Sequence, residues 1–533
     1  DGFDFTLLDS NYDHFEPIIE LALSRVPALR TTGIKQLMNG PESFTPDGNF
    51  ILGEAPELKN FFVGAGFNAF GIASGGGAGM ALAEWASNGR PPYDLANVDI
   101  RRFGRPHQDT GWVRARTLEA YSKHYTMAWP FDEYESGRPS RRSPLYPILL
   151  KSGAVMGEKL GWERPNWYAT QAEAAYDIHT FGRPNWHDAV SREHHACRQR
   201  AALFDQTSFA KFTLKGADAE AALGWIAANR VDRPVGSVVY TQMLNKSGGI
   251  ECDLTCARMA EDEYYIVTGT GFATRDFDWI SRNIPSGMHA ELVDVTSAGA
   301  VLSLFGPNAR DILTELTSSD IANHAFPFGT WKRIGIAGCP ITALRITYVG
   351  ELGYELHLPV EYAVTVYEAL QEVAAKHGLQ NAGYRSIETL RLEKGYRAWG
   401  SDVGPDHTPI EAGLVGLVKL KAGQDFLGRA ALLAQQETGV KKRLATFTAD
   451  PDVILYGRET IYRNGQRCGW LSSGGFGHWI GQSIGLGYVR NPSGVTLDYV
   501  LSGRYELEVA SHRVPAEVTL DPLYDAKMAK IRV

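Results

Sequence analysis

The chain has 533 residues, more than one hydrophobic core usually carries, so two to four domains are expected. Hydrophobic residues make up 44% and charged residues 21%; the net charge of −8 argues against a nucleic-acid-binding surface, and no apolar run nears the roughly 20 residues that span a bilayer. The cysteines Cys197, Cys252, Cys256, Cys339 and Cys468 form neither a disulfide framework nor a C-x-x-C pair, which points to a reducing compartment: the cytoplasm, or the mitochondrial matrix in a eukaryote. The opening stretch DGFDFTLLDSNYDHFEP lacks the basic start and apolar block of a signal peptide. It also lacks an initial methionine, so the protein's own N-terminus is expected elsewhere.

Phe15, Ile18, Ile19, Ala22, Leu23 and Val26 recur at three and four, which predicts a helix over 13–26 stopped by Pro27. Phe61–Val63 is expected as a short buried strand. Gly64, Gly66 and Gly71 then make a loop around Phe67, and Ile72–Asn88 reads as a small-residue helix ended by Gly89. Strand, glycine loop and helix N-terminus form a phosphate or cofactor cradle in general terms, because glycine lets the backbone approach and the first-turn N–H groups are free. There is no G-x-G-x-x-G with an acidic residue about 20 further on, so the glycines alone read as ordinary turns.

Residues 90–170 are rich in arginine, proline and turn residues, a connecting module with little core of its own. The aromatics of Gly157–Tyr168 read as packing at a domain junction. His187, His194, His195 and Cys197 cluster without a standard zinc spacing; they are expected on an amphipathic helix with its polar face in water, and no metal is assigned. From about residue 180 the pattern is α+β. KFTLKG and EYYIVTGT read as strands, DAEAALGWIAAN as a helix, and residues 236–259 as a hairpin turning at Asn245–Gly249. AVLSLFGPNARDILTELT reads as strand, Gly-Pro turn and helix, and 363–378 as an amphipathic helix closed by Gly378. The last hundred residues hold short, evenly spaced strands, a small antiparallel barrel or sandwich.

RITYVGELGYELHLP, residues 345–359, poses a question. Arg345–Val349 suits a pleated strand. In Tyr354–Leu358 the residues Tyr354, Leu356 and Leu358 share one face. Glu351 sits in the glycine turn and Glu355 on the second strand. The question is what a protein would hold there that needs a fixed negative charge.

Four stretches answer it together. VVYTQMLNKSGGIECDL (238–254), ITYVGELGYELHLP (346–359), NAGYRSIETLRLEKG (381–395) and WGSDVGPDHTPIEAGL (399–414) stand in the order seen in aminomethyltransferases. Over about residues 180–530 the chain resembles the T-protein of the glycine cleavage system. FFVGAGFNAFGIASGGGAGMALAEW resembles the C-terminal end of an amino-acid-oxidase-type flavin domain, and DIRRF and GWERPNWY resemble the linker module of dimethylglycine and sarcosine dehydrogenases. The resemblance implies an α+β multidomain chain: 1–98 the C-terminal part of an FAD domain, 99–165 a linker module, 166–430 a folate-binding domain and 431–533 a small β-barrel. It implies FAD and tetrahydrofolate, with Gly66, Phe67, Gly71 and Ile72 on the flavin side. The family's dinucleotide fingerprint is not visible, so residues 1–90 are not expected to build a flavin pocket alone.

By the same resemblance Asp253 lies beside the reactive folate amine and acts on its proton. Glu355 accepts the paired N–H donors of the pterin edge, while Glu351 is expected to be a solvated turn residue. Tyr240 and Tyr348 offer flat faces to a pterin or aminobenzoyl ring. Arg385 either meets a folate carboxylate or pairs with Glu388. The implied reaction is oxidative demethylation of an N-methylated glycine with transfer of the one-carbon unit to tetrahydrofolate. Electrons go to an electron-transfer flavoprotein or to oxygen. The rivals are a stand-alone folate-dependent methyltransferase or demethylase, and a non-catalytic regulatory relative.

Overall fold

The computed structural model describes residues 6–533. Near the N-terminus the helix Tyr12–Arg25 forms as its periodicity predicts, yet none of its residues is buried. Strands β1 (Ile51–Glu54) and β2 (Phe62–Ala65) pair antiparallel. The second was expected to be buried; Phe61 is exposed and β2 is only partly covered. The helix Gly71–Asn88 follows and ends on Gly89, whose φ of 70° is the left-handed conformation that glycine adopts without strain. A helix, Thr110–His124, crosses the connecting module, and the hairpin β3 (Ala154–Lys159) and β4 (Trp162–Tyr168) follows it. Trp167 is fully buried and Trp162 nearly so, the junction packing expected of these aromatics.

The central α+β region runs β5 (Ala201–Asp205), β6 (Ala210–Lys215), β7 (Val238–Leu244), β8 (Ile250–Ala260), β9 (Glu263–Thr268), β10 (Glu291–Asp294), β11 (Gly299–Phe305), β12 (Trp331–Ile336), β13 (Cys339–Leu344), β14 (Gly353–Pro359) and β15 (Leu379–Asn381). These sort into two sheets. One has the order β10-β6-β9-β8-β7, the other β12-β13-β14-β11-β5-β15.

Alternation decides what each sheet face meets. Cys252, Leu254 and Cys256 of β8, with Met243 of β7, turn into a core shared with the helices Ala219–Ile226 and Ala273–Asn283. Leu302 and Leu304 of β11, with Tyr354, Leu356 and Leu358 of β14, turn into a second core under the helices Ala309–Leu316 and Ala363–Glu372. The remaining faces look toward each other. Val238 and Ala257 of the first sheet pack with Leu344 of the second. Each sheet is thus covered by helices on its outer face, and a layer with polar contents lies between the sheets.

Strand β13 ends at Leu344, so the predicted strand Arg345–Val349 is not one. Arg345 is fully buried, and its guanidinium bonds Asn323 and the carbonyls of Phe326 and Val533. Thr347 Oγ1 accepts the N–H groups of Val349 and Gly350 at 3.2 Å and closes a turn. Local bonding of this kind competes with a ladder. The C-terminal strands β16 (Lys442–Ala449), β17 (Thr460–Arg463), β18 (Gln466–Gly477), β19 (Gln482–Arg490), β20 (Tyr505–Val509) and β21 (His512–Thr519) close into a barrel. The five cysteines are free and buried. Among the described residues no helix is long and apolar enough to cross a membrane.

Candidate functional site

The hairpin β7/β8 sets Gln242 directly opposite Asp253 and Tyr240 opposite Thr255. Tyr240, Gln242 and Asp253 all project to the interlayer side, away from the cysteine-lined core. Gln242 Nε2 donates to Asp253 Oδ1 at 2.9 Å, and the Tyr240 hydroxyl donates to the same carboxylate. Burial raises the pKa of Asp253 to about 6, against the lowering by its two hydrogen bonds and the Arg397 charge. The tyrosine feels the converse: desolvation and the neighbouring carboxylate hold the Tyr240 phenol protonated far above its ordinary pKa. The residue as a whole nonetheless keeps 38% of its surface open. Gln242 is fully buried and its Oε1 has no hydrogen-bond partner.

Tyr348 comes to the same place from the turn before β14. Its hydroxyl donates to the carbonyl of Arg397 at 2.8 Å, its ring stacks with Tyr396 at 5.9 Å, and the Asp253 charge is among those that raise its pKa. Behind it Arg391 pairs with the fully buried Asp402 at 2.7 Å, and barrel residues Ser472 and Ser473 donate to Asp402. The barrel therefore braces the loop that holds Tyr348.

Glu355 lies on the interlayer face of β14, 7% exposed. His357 is 3.2 Å away through Nε2. Glu351 corrects an expectation. It is not solvated: 1% exposed, it pairs with Arg198 at 3.1 Å, and burial raises its pKa. Arg198 also pairs with Glu393 at 2.9 Å. Glu351 thus belongs to a buried charge cluster beneath the turn.

Arg385 pairs with Asp177 through both terminal nitrogens and stacks over Trp186 at 4.3 Å, while Glu388 pairs with Arg391. The expected Arg385–Glu388 pair is therefore not made, and a folate carboxylate would have to displace Asp177. Arg385 is not brought into the group formed by Tyr240, Gln242, Asp253 and Tyr348.

The histidine helix also changes its reading. In His187–Gln199 the residues Glu193, His194, Cys197 and Arg198 are buried, not in water. His194 bonds Thr389 at 2.8 Å and Glu393 at 3.1 Å, and the backbone N–H groups of Trp479 and Ile480, at the barrel's edge, donate to Glu393. The polar helix face packs against the helix that carries Thr389 and Glu393, and the barrel edge completes the bonding of Glu393.

On the flavin side Gly66 has φ 64°, and a Cβ there would meet Thr45 Cγ2 at 2.5 Å, so only glycine fits. Phe67 stacks with Phe50 at 5.2 Å. Gly71 opens the following helix, whose N-terminus has no side-chain cap, and Ile72 stands fully exposed in its first turn. The N–H groups of that first turn are therefore free of a side-chain cap.

Four residues that bond or act on the folate-side residues had no assignment in the sequence: Gln242 on Asp253, His357 on Glu355, Tyr265 on His357 at 3.1 Å, and Arg397, whose charge acts on Asp253. Gln242 had a signal, since the hairpin register pairs it with Asp253. His357 had one too, two residues from Glu355 on the same strand face. Tyr265 and Arg397 come from other elements, and no local pattern marks them.

With this arrangement in view, comparison with known proteins is direct. The model described as the GCVT N-terminal domain matches residues 145–422, just over half of the chain, and that of the glycine cleavage T-protein C-terminal barrel domain matches 442–525. Models of an FAD dependent oxidoreductase and of its central domain match 1–85 and 88–143. The chain belongs to the glycine cleavage T-protein family, joined to flavin-oxidoreductase segments. Among relatives, sarcosine dehydrogenase of Mus musculus mitochondria is 41% identical, with all of this chain and 62% of its own length aligned; dimethylglycine dehydrogenases match over the same span. The mitochondrial pyruvate dehydrogenase phosphatase regulatory subunit of Mus musculus is 37% identical over 97% of this chain and 61% of its own. The aminomethyltransferase T structure from Bartonella henselae shares the fold, with a TM-score of 0.62 at 24% identity over 73% of this chain and 99% of that one. The chain spans about three fifths of the length of these mitochondrial relatives.

Proposed function

We propose that this chain carries the folate-transfer half of an FAD-dependent enzyme that oxidatively demethylates an N-methylated glycine, sarcosine or dimethylglycine. The one-carbon unit passes to tetrahydrofolate and leaves as 5,10-methylenetetrahydrofolate. The observation that carries this reading is Asp253: a partly desolvated carboxylate with a pKa of about 6, held by Tyr240 and Gln242 on the interlayer face of its sheet, while Glu355 stands on the interlayer face of the other. The relatives support the class of substrate, and both dehydrogenases and an oxidase stand among them, so the electron acceptor is an electron-transfer flavoprotein or oxygen.

Gly66, Phe67, Gly71 and Ile72 would form one wall of an FAD site, and bound flavin would supply the hydride acceptor that turns the N-methyl amine into an iminium. The rest falls to this chain's own residues. Glu355 accepts the pterin's paired donors, and Tyr240 and Tyr348 flank the ring. A folate amine attacks the iminium carbon, a C–N bond forms, and Asp253 takes the amine's proton. Asp253 returns that proton to the departing amine nitrogen, the bond from the transferred carbon to that amine breaks, and the second folate nitrogen closes the methylene bridge, its own proton passing to the Asp253 carboxylate. A pKa near neutrality suits a group that must both take and give a proton. A regulatory role, which the phosphatase subunit raises, would leave Asp253, Tyr240 and Glu355 without a task.

The test is Asp253→Ala in the holoenzyme. Flavin reduction by sarcosine should keep its wild-type rate. Methylenetetrahydrofolate formation should fall about 100-fold to 10,000-fold, with formaldehyde in its place, while folinic acid binding, measured separately, persists. Normal folate binding with wild-type methylenetetrahydrofolate formation would remove Asp253 from the mechanism.

A further inference from the structure

Alternation turns His357 to the same face as Glu355, and Tyr265 of β9 stands across the interlayer space. Tyr265 Oη lies 3.1 Å from His357 Nδ1, and His357 Nε2 lies 3.2 Å from Glu355 Oε2. The two rings meet edge to face at 5.3 Å. His357 is 5% exposed and Glu355 7%.

The hydrogens in this chain follow by elimination. An ionised carboxylate only accepts, so Nε2 carries a hydrogen. Burial lowers the pKa of His357, which leaves the imidazole neutral with that single N–H. Nδ1 must then accept, and the donor is Tyr265, whose buried phenol keeps its proton. The chain runs one way, from Tyr265 through His357 to Glu355. It occupies one lone pair of Oε2. Among the described residues no donor is bonded to Oε1. A carboxylate has about four acceptor positions. Glu355 therefore keeps an edge able to accept two adjacent N–H donors while its plane is fixed from behind.

We propose that His357 and Tyr265 are positioning residues that hold Glu355 as an oriented acceptor for the paired N–H donors of a reduced pterin. This rests on the folate reading above. Neither residue need touch the ligand. Both link the two sheets, so the acceptor is set by the layer that the ligand enters.

Calorimetric titration of folinic acid into the full chain tests it. His357→Leu removes the donor and should weaken binding about tenfold, the scale of one charge-assisted hydrogen bond. In His357→Gln the amide nitrogen can stand where Nε2 stood, and most of the affinity should return. Tyr265→Phe leaves the donor in place and should cost less than His357→Leu. In the holoenzyme KM for tetrahydrofolate should rise in His357→Leu while kcat at saturation holds, because Asp253 is untouched. Wild-type affinity in His357→Leu would overturn the proposal. So would equal losses in the Leu and Gln variants with equally lowered melting temperatures, which would make His357 a packing residue. A folded wild-type chain that gives no heat would instead sink the folate reading itself. Binding abolished by Glu355→Ala but indifferent to His357→Leu would sink only the positioning claim.

Discussion

Two helices show how differently the two ends of the proposed chemistry are covered. In Tyr384–Lys394, on the folate side, every residue except Tyr384 and Glu388 is buried. Four of those buried residues carry charge, and each has a partner: Arg385 with Asp177, Arg391 with Asp402, Glu393 with His194 and Arg198, Lys394 with Asp525. In Gly71–Asn88, on the flavin side, only Ala78, Ala81 and Trp85 are buried. Gly75, Gly76, Gly77 and Gly79 have open space where a Cβ would stand. Charge can be buried where folding supplies its counter-charge. Small residues on a bare face instead leave room for another surface to approach. The folate layer is therefore held by contacts within this chain, whereas the flavin-side helix offers a face that this chain leaves uncovered.

The comparison breaks first if the folate side proves insensitive to its buried charges. Glu393→Ala leaves Arg198 with Glu351 alone and frees the barrel edge at Trp479 and Ile480. It should destabilise the chain by about 3–5 kcal/mol, the usual cost of removing one member of a buried pair. Urea denaturation measures this; a change under 1 kcal/mol would place the cluster among pairs of surface strength.

Asp253 should show the opposite sign. Its folded pKa, about 6, lies above the unfolded value of about 3.9. Its ionisation therefore opposes folding, with no penalty well below pH 4 and the full penalty above pH 6. Asp253→Asn should raise stability at pH 8 by about 1–3 kcal/mol, and the gain should shrink as pH falls toward 4. The transfer reaction should also fade as pH drops through about 6, where Asp253 takes up a proton. A stability gain that does not vary with pH would mean that packing, not charge, explains it.

The smallest effect is expected on the bare helix. Ile72 is fully exposed, so Ile72→Ser should change this chain's stability by less than about 0.5 kcal/mol. A larger loss in a melting experiment would show that the face is covered after all.

The line between what the residues reveal and what they hide follows the same division. The hairpin β7/β8, the helix Gly71–Asn88, the alternation of β14 and the C-terminal barrel are legible because each is set by neighbours in sequence: a turn of Asn and Gly, a glycine cap, a period of two. Asp253 and Glu355 were singled out only through several ordered motifs together. Glu351 was misread because a glycine turn ordinarily faces water, and its burial depends on Arg198, 153 positions earlier. The helix His187–Gln199 was misread for a related reason. Its polar face is real, but the carboxylate and barrel edge that satisfy it come from residues 393 and 479–480. Arg345 looked like the start of a strand, and carbonyls as distant as Val533 draw it into the interior.

The central claim is that reduced folate lies between the two sheets, with its pterin edge on Glu355. Folinic acid titrated into the purified chain tests it most directly, alongside Glu355→Ala. The expected result is one ligand per chain, with binding weakened by about 1–3 kcal/mol in the variant, the cost of leaving buried pterin donors unpaired. No heat from a folded wild-type chain, or equal affinity in wild type and Glu355→Ala, would contradict it.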